Sequence, residues 1–167
     1  MSAIHVSTLD LEWTGSWGFP GRIYETVASN GESKVLTTAV EVPLTPKVNF
    51  MFSMLSKKSS DRGYLSAGLS SCSTGDLLLD SRYDFYSDDS LRFVNIISSP
   101  MVKEYILRLN NFDMTLINNG GSATLSVQLQ GGASGREELW LIMDMAEGVL
   151  GELINSSAIE RVPPNNI

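Results

Sequence analysis

Apolar and polar residues alternate through much of the first seventy positions, whereas apolar residues recur at helical spacing through much of the remainder. Leu9, Leu11 and Trp13 against Asp10 and Glu12 predict a first strand. Residues 14–21, TGSWGFPG, follow as a loop in which Pro20-Gly21 has turn chemistry. Residues 22–28 and 35–42 form two further strands around Asn30-Gly31, a strong short hairpin signal. In residues 48–55, Val48, Phe50, Phe52 and Met54 share one face, but Met51 and Leu55 break the alternation, which predicts a strand covered on both faces. A polar loop, residues 56–63, leads to a last strand of this half at 64–69.

The stretch 73–91, STGDLLLDSRYDFYSDDSL, joins the two halves and spaces Asp76, Asp80, Asp84 and Asp88 four residues apart. Thr74-Gly75-Asp76 is a turn, and Arg82 to Tyr86 alternates as a strand with Tyr83 and Phe85 on one face. Ser87-Asp88-Asp89 then predicts a helix start, capped by Ser87 or Asp88. Leu91, Val94 and Ile97 are the stripe of that helix. Ser99-Pro100 opens a second one with Val102, Ile106 and Leu109 facing inward. Residues 112–117 and 123–129 alternate as a hairpin. Ser134 and Glu137 then form a capping-box pattern ahead of a long helix at 135–155. Its apolar face is Leu139, Ile142, Met143, Ala146, Val149, Leu150 and Leu153, while Gly148 and Gly151 predict close packing.

These elements predict an α+β fold: an antiparallel, β-rich N-terminal half (9–70), then a strand-helix-helix-hairpin-helix unit (76–155), in one compact domain over residues 1–155. Residues 156–167 are expected to form a flexible tail. No internal repeat is visible.

Composition adds constraints. The 167 residues are 43% hydrophobic and 19% charged, which suits a globular chain. Residues 1–75 are electrically balanced, so the net charge of −7 sits in residues 76–167. That acidity argues against nucleic acid and suits a protein partner with a basic surface. Cys72 is the only cysteine, which excludes an internal disulfide and thiolate metal sites. The N-terminal residues lack a basic and apolar leader pattern, and no apolar run reaches membrane-spanning length, so a cytoplasmic protein without direct membrane insertion is expected.

Gly21-Arg22, Thr37-Thr38, the Thr74-Gly75-Asp76 turn, Asp80 and Ser87-Asp88-Asp89 together resemble a loose family of uncharacterised bacterial domains, over about residues 12–155. The resemblance implies a β-rich first part, an Asp-containing linker element and a helix–hairpin–helix end. It transfers no catalytic residue.

The candidate chemistry is sparse. Four carboxylates suggest a hard cation held by Asp76 and Asp80, but the spacing is not that of a calcium loop, and turn and cap roles account for the same residues. The glycines of residues 14–21 with Arg22 suggest an anion cradle, without the ending of a phosphate loop. His5 is the only histidine, so a Cys72–His5 nucleophilic pair needs the N-terminal segment folded over. Trp17, Phe19, Arg22 and Trp140 are the candidate interaction residues. The expected function is a non-catalytic protein-interaction module, an adaptor, chaperone-like protein or assembly factor, as monomer or homodimer and with no cofactor. A carboxylate-based metal-dependent hydrolase using Asp76 and Asp80 is one alternative, and a carrier of a small apolar ligand is another.

Overall fold

A computed structural model describes residues 9–29, 31, 34–59 and 68–163. His5, Asn30, Glu32, most of the strand expected at 64–69 and residues 164–167 lie outside that set. Within it the chain is α+β: eight antiparallel strands in one sheet, with four helices.

The N-terminal alternation forms β1 (Asp10–Thr14), β2 (Pro20–Ser29) and β3 (Lys34–Leu44), paired in sequence order. Next come β4 (Phe52–Ser56), β5 (Ser70–Cys72), α1 (Leu77–Arg82), β6 (Tyr83–Ser87), α2 (Ser90–Ile97) and α3 (Pro100–Arg108). The chain closes with β7 (Phe112–Asn118), β8 (Ala123–Gln130) and α4 (Arg136–Asn155). The sheet order is β1-β2-β3-β8-β7-β4-β6-β5. The two halves expected from the sequence are therefore interleaved: the β7–β8 hairpin enters the middle of the sheet, with β8 on β3 and β7 on β4. The β-rich segment 9–70 is not a unit of its own.

Register explains the core. Ile23, Val40, Val127, Met114, Met54 and Phe85 are cross-strand neighbours on one face, and all are buried. The three longer helices pack on that face. Phe93 of α2 stacks on Phe52 with ring centroids 4.5 Å apart, and it also meets Phe85. α4 carries Ile142, Met145, Ala146, Val149, Leu150, Leu153 and Ile154 into the same layer. All five residues of β4 are buried, so both its faces are covered, as the broken alternation predicts.

Several expectations are corrected. The run 77–79 is helical: Asp76 accepts from the Leu78 and Leu79 N–H groups and nucleates α1, and a six-residue helix burying only Leu79 is too short to show a stripe. α2 is rotated from its expected phase. Phe93, Ile96 and Ile97 are buried and Leu91 is exposed, because a phenyl ring fills the space between Phe52 and Phe85. In α4, Leu139 and Met143 are only half-buried, Met145 and Ile154 join the core, and the N-cap is Gly135. Ser134 Oγ instead donates to Glu138 Oε2 at 2.5 Å. The segment after α4 is anchored as far as it is described. Ala158 and Ile159 are buried, Lys47 N donates to Ala158 O at 2.8 Å, and Glu160 N donates to Thr45 O at 2.8 Å.

Candidate functional site

The outward side of α4 carries Trp140, Asp144, Glu147 and Gly151. At 100° per residue, positions 140 and 151 project within about 20° of each other and lie about 16 Å apart along the axis. Gly151 is covered by Trp17: a Cβ at position 151 would stand 2.9 Å from Trp17 Cζ2. The loop that carries Trp17 is fixed to the same stripe one turn earlier. Glu147 Oε2 accepts from Ser16 N at 3.1 Å and from Ser16 Oγ at 2.7 Å. The two tryptophans, 39% and 57% exposed, thus stand along one face of one helix with two acids between them.

The other interaction candidates fall elsewhere. Phe19 is 5% exposed and belongs to the core, so it offers no surface to a partner. Arg22 lies on the opposite sheet face. There it grips Asp10 with two hydrogen bonds, 2.8 and 3.0 Å, and stands 4.5 Å from the centre of the Tyr24 ring. The hydrogen bond from Arg22 holds the Asp10 carboxyl below its ordinary value. Tyr24 donates to Glu41 Oε1 at 2.5 Å, and burial together with that carboxylate pushes the phenol up to about 12. The expected anion cradle in residues 14–21 is occupied by the protein's own carboxylate, Glu147.

Asp76 and Asp80 are held by separate sets of protein donors. Asp76 Oδ1 caps α1 at 2.9 and 3.2 Å, and Oδ2 pairs with Lys103 Nζ. The Lys103 hydrogen bond, followed by the backbone donors, lowers its pKa. Asp80 ties the preceding turn, accepting from Ser73 Oγ at 2.6 Å, Thr74 Oγ1 at 2.8 Å and Thr74 N at 3.0 Å. Burial raises its pKa, but these hydrogen bonds outweigh it and the net shift is downward. Among the described residues no three His, Cys, Asp or Glu side chains are grouped to hold a metal ion.

The remaining linker acids also have structural partners. Asp84 pairs with Lys57 at 3.2 Å. Asp88 accepts from Met51 N at 2.9 Å and so ties the linker to the approach to β4. The cap of α2 is Asp89, accepting from Arg92 N at 3.2 Å. Ser87 Oγ accepts from Asp89 N at 3.0 Å and donates to Met51 O at 2.9 Å. Cys72 ends β5, where burial pushes the thiol up against a smaller lowering by Ser90.

Sequence reading missed a cavity of about 370 Å³ at the sheet end where β4 stops and β6 and β7 begin. Lys57, Lys58, Arg82, Tyr83, Asn110 and Asn111 are on its wall. The signals were the Lys57-Lys58 pair in a polar loop and the Asn110-Asn111 pair at a helix end, which no periodicity brings together. No family model, curated protein or solved structure matches this chain.

Proposed function

We propose that this chain is a non-catalytic protein-interaction module, an adaptor or assembly factor, that docks through the outward stripe of α4 onto a partner with a basic surface. A cytoplasmic setting belongs to the same proposal. The observation that carries it is the placement of Trp17 and Trp140 on one helix face with both indoles partly open to solvent. Tryptophan supplies a large rigid contact area and is enriched among the residues that dominate interface energies. Asp144 is exposed between the two rings and Glu137 lies one turn before Trp140, so the aromatic anchors stand in a negative field. Such a field steers a basic surface toward the stripe and disfavours an acidic one. Among the described residues no helix is long and apolar enough to cross a membrane.

The test uses the chain as bait in wild-type, Trp140→Ala and Asp144→Lys forms, with the recovered partner quantified. Trp140 is exposed, so its truncation should change folding stability by about 0.5 kcal/mol or less. Truncating an anchoring tryptophan should weaken binding by about 2 kcal/mol or more, which is over tenfold in affinity. Equal recovery of the same partner by all three forms would contradict the proposal.

A further inference from the structure

One oxygen of the Glu147 carboxylate is left without a donor. Oε2 takes both Ser16 groups, N at 3.1 Å and Oγ at 2.7 Å, whereas Oε1 is enclosed and accepts no hydrogen bond among the described residues. The Gly15 backbone is what encloses it, because a Cβ at position 15 would overlap Oε1 and Cδ. Gly15 lies outside the left-handed region, so the carboxylate rather than the backbone excludes a side chain there. An anion shut away from water with an unsatisfied oxygen opposes this closure. The two charge-assisted hydrogen bonds and the Trp17 ring against Gly151 favour it. Closure is therefore a balance within one short segment rather than a property of the core.

The segment has fixed ends. Thr14 pairs with Pro20 across the β1–β2 ladder, and Phe19 is buried in the core. Between them Gly18 N donates to Gly15 O at 3.0 Å, which makes a turn with Ser16 and Trp17 at its corner. Glu147 and Gly151 are one helical turn apart on α4, so adjacent residues of the turn are seated on adjacent positions of the stripe. Releasing Ser16 from Glu147 thus lifts Trp17 from Gly151 and breaks its alignment with Trp140.

We propose that residues 15–18 form a strap that opens and closes over Glu147, and that the closed state is the one that docks. The proposal rests on the reading of the tryptophan stripe as the docking surface. Glu147 is then a positioning residue: it fixes Trp17 ahead of binding and reduces the ordering that docking must supply. A partner with a basic surface selects the closed strap, and its apparent affinity falls in proportion to the closed fraction. Gly15 sets the balance, because its missing side chain gives the carboxylate room beneath the turn.

Fluorine NMR of the 5-fluorotryptophan-labelled chain tests the strap without a partner, with the Trp17 signal assigned from Trp17→Phe. Gly15→Ala keeps every charge and both tryptophans but expels the flexible carboxylate end, and Glu147→Ala removes it. Both should move the Trp17 signal to one shared position, that of the open strap, and leave the Trp140 signal in place. Losing two hydrogen bonds to a charged group should shift the equilibrium toward open by about tenfold or more. Glu147→Gln still offers Ser16 an acceptor and encloses no net charge, so its signal should mark the closed strap. The wild-type signal should lie between these positions or split between them. Gly15→Ala should also weaken binding of the partner recovered by the wild-type bait, in proportion to the closed fraction. A Trp17 signal unmoved by both Gly15→Ala and Glu147→Ala overturns the strap, and a moved signal with unchanged binding overturns the closed state as the docking state. Where Gly15→Ala also moves the Trp140 signal, Glu147→Ala decides. Equal binding by Trp140→Ala contradicts the stripe itself, whichever way the strap behaves.

Discussion

Replacing Gly148 and Gly151 by alanine, one at a time, separates the helix propensity of α4 from the docking of Trp17. In a helix interior, alanine is favoured over glycine by about 0.8–1.0 kcal/mol. At position 148 the new methyl would lie 3.5 Å from Val102 Cγ2 and 3.9 Å from Met101 Cε, which is ordinary contact. Gly148→Ala should therefore stabilise the chain by about 1 kcal/mol and raise the melting temperature by about 2–4 °C for a chain of this size. At position 151 the methyl would stand 2.9 Å from Trp17 Cζ2 and 3.3 Å from Cε2 and Nε1, so the indole must move outward. An aromatic side chain buries about 150–250 Å², worth about 4–6 kcal/mol at 25 cal/mol per Å². Lifting one ring face off the helix forfeits about a quarter to a third of that, roughly 1–2 kcal/mol, which cancels or exceeds the propensity gain. Thermal melts of both variants give the stability difference, and fluorine NMR of 5-fluorotryptophan-labelled protein reports the Trp17 environment. The expected result is a higher melting temperature for Gly148→Ala, an equal or lower one for Gly151→Ala, and a displaced Trp17 resonance only in the latter. Equal stabilisation by both substitutions with Trp17 unmoved would refute the reasoning.

Further expectations follow from particular contacts. Phe93→Ala removes a fully buried ring stacked on Phe52 and should cost about 3–5 kcal/mol, read by chemical denaturation. Asp89→Ala removes the side-chain cap of α2 and should cost about 0.5–2 kcal/mol. In Asp88→Ala the loss should register instead as faster hydrogen exchange at Met51 N, whose acceptor is removed. Asp76 and Asp80 have pKa values lowered by folding. Their stabilising contribution is therefore complete above the ordinary aspartate value and disappears as pH falls through the lowered folded values. Melting temperature should drop below about pH 4, and Asp76→Asn together with Asp80→Asn should flatten that limb of the profile, an unchanged limb arguing against the assignment.

The elements with long clean periodicity were legible in the sequence. The 112–117/123–129 hairpin, the Val102–Ile106–Leu109 stripe and the extent of the last helix all rest on apolar residues repeating at one spacing. Strand order was not legible, because nothing local in β8 specifies that its partner is β3, some ninety residues earlier. Short elements also escaped: α1 is defined by the Asp76 cap and one buried leucine, and a two-residue difference in phase separates Leu91 from Phe93 in α2. Of the candidate interaction residues, Trp17 and Trp140 share one stripe, about 16 Å apart along the helix, because Gly151 leaves room for an indole. A glycine in a helix signals close approach without naming the approaching residue. The basic cavity was illegible for the same reason, since Lys57-Lys58, Arg82 and Asn110-Asn111 converge only through sheet pairing.

Hydrogen exchange of the chain alone and bound to its recovered partner tests the central claim most directly. The account predicts added protection concentrated in residues 137–151 and in the 15–19 loop, with Trp140→Ala abolishing it. Protection confined to the opposite sheet face around Arg22 and Tyr24, with α4 unchanged, would contradict it.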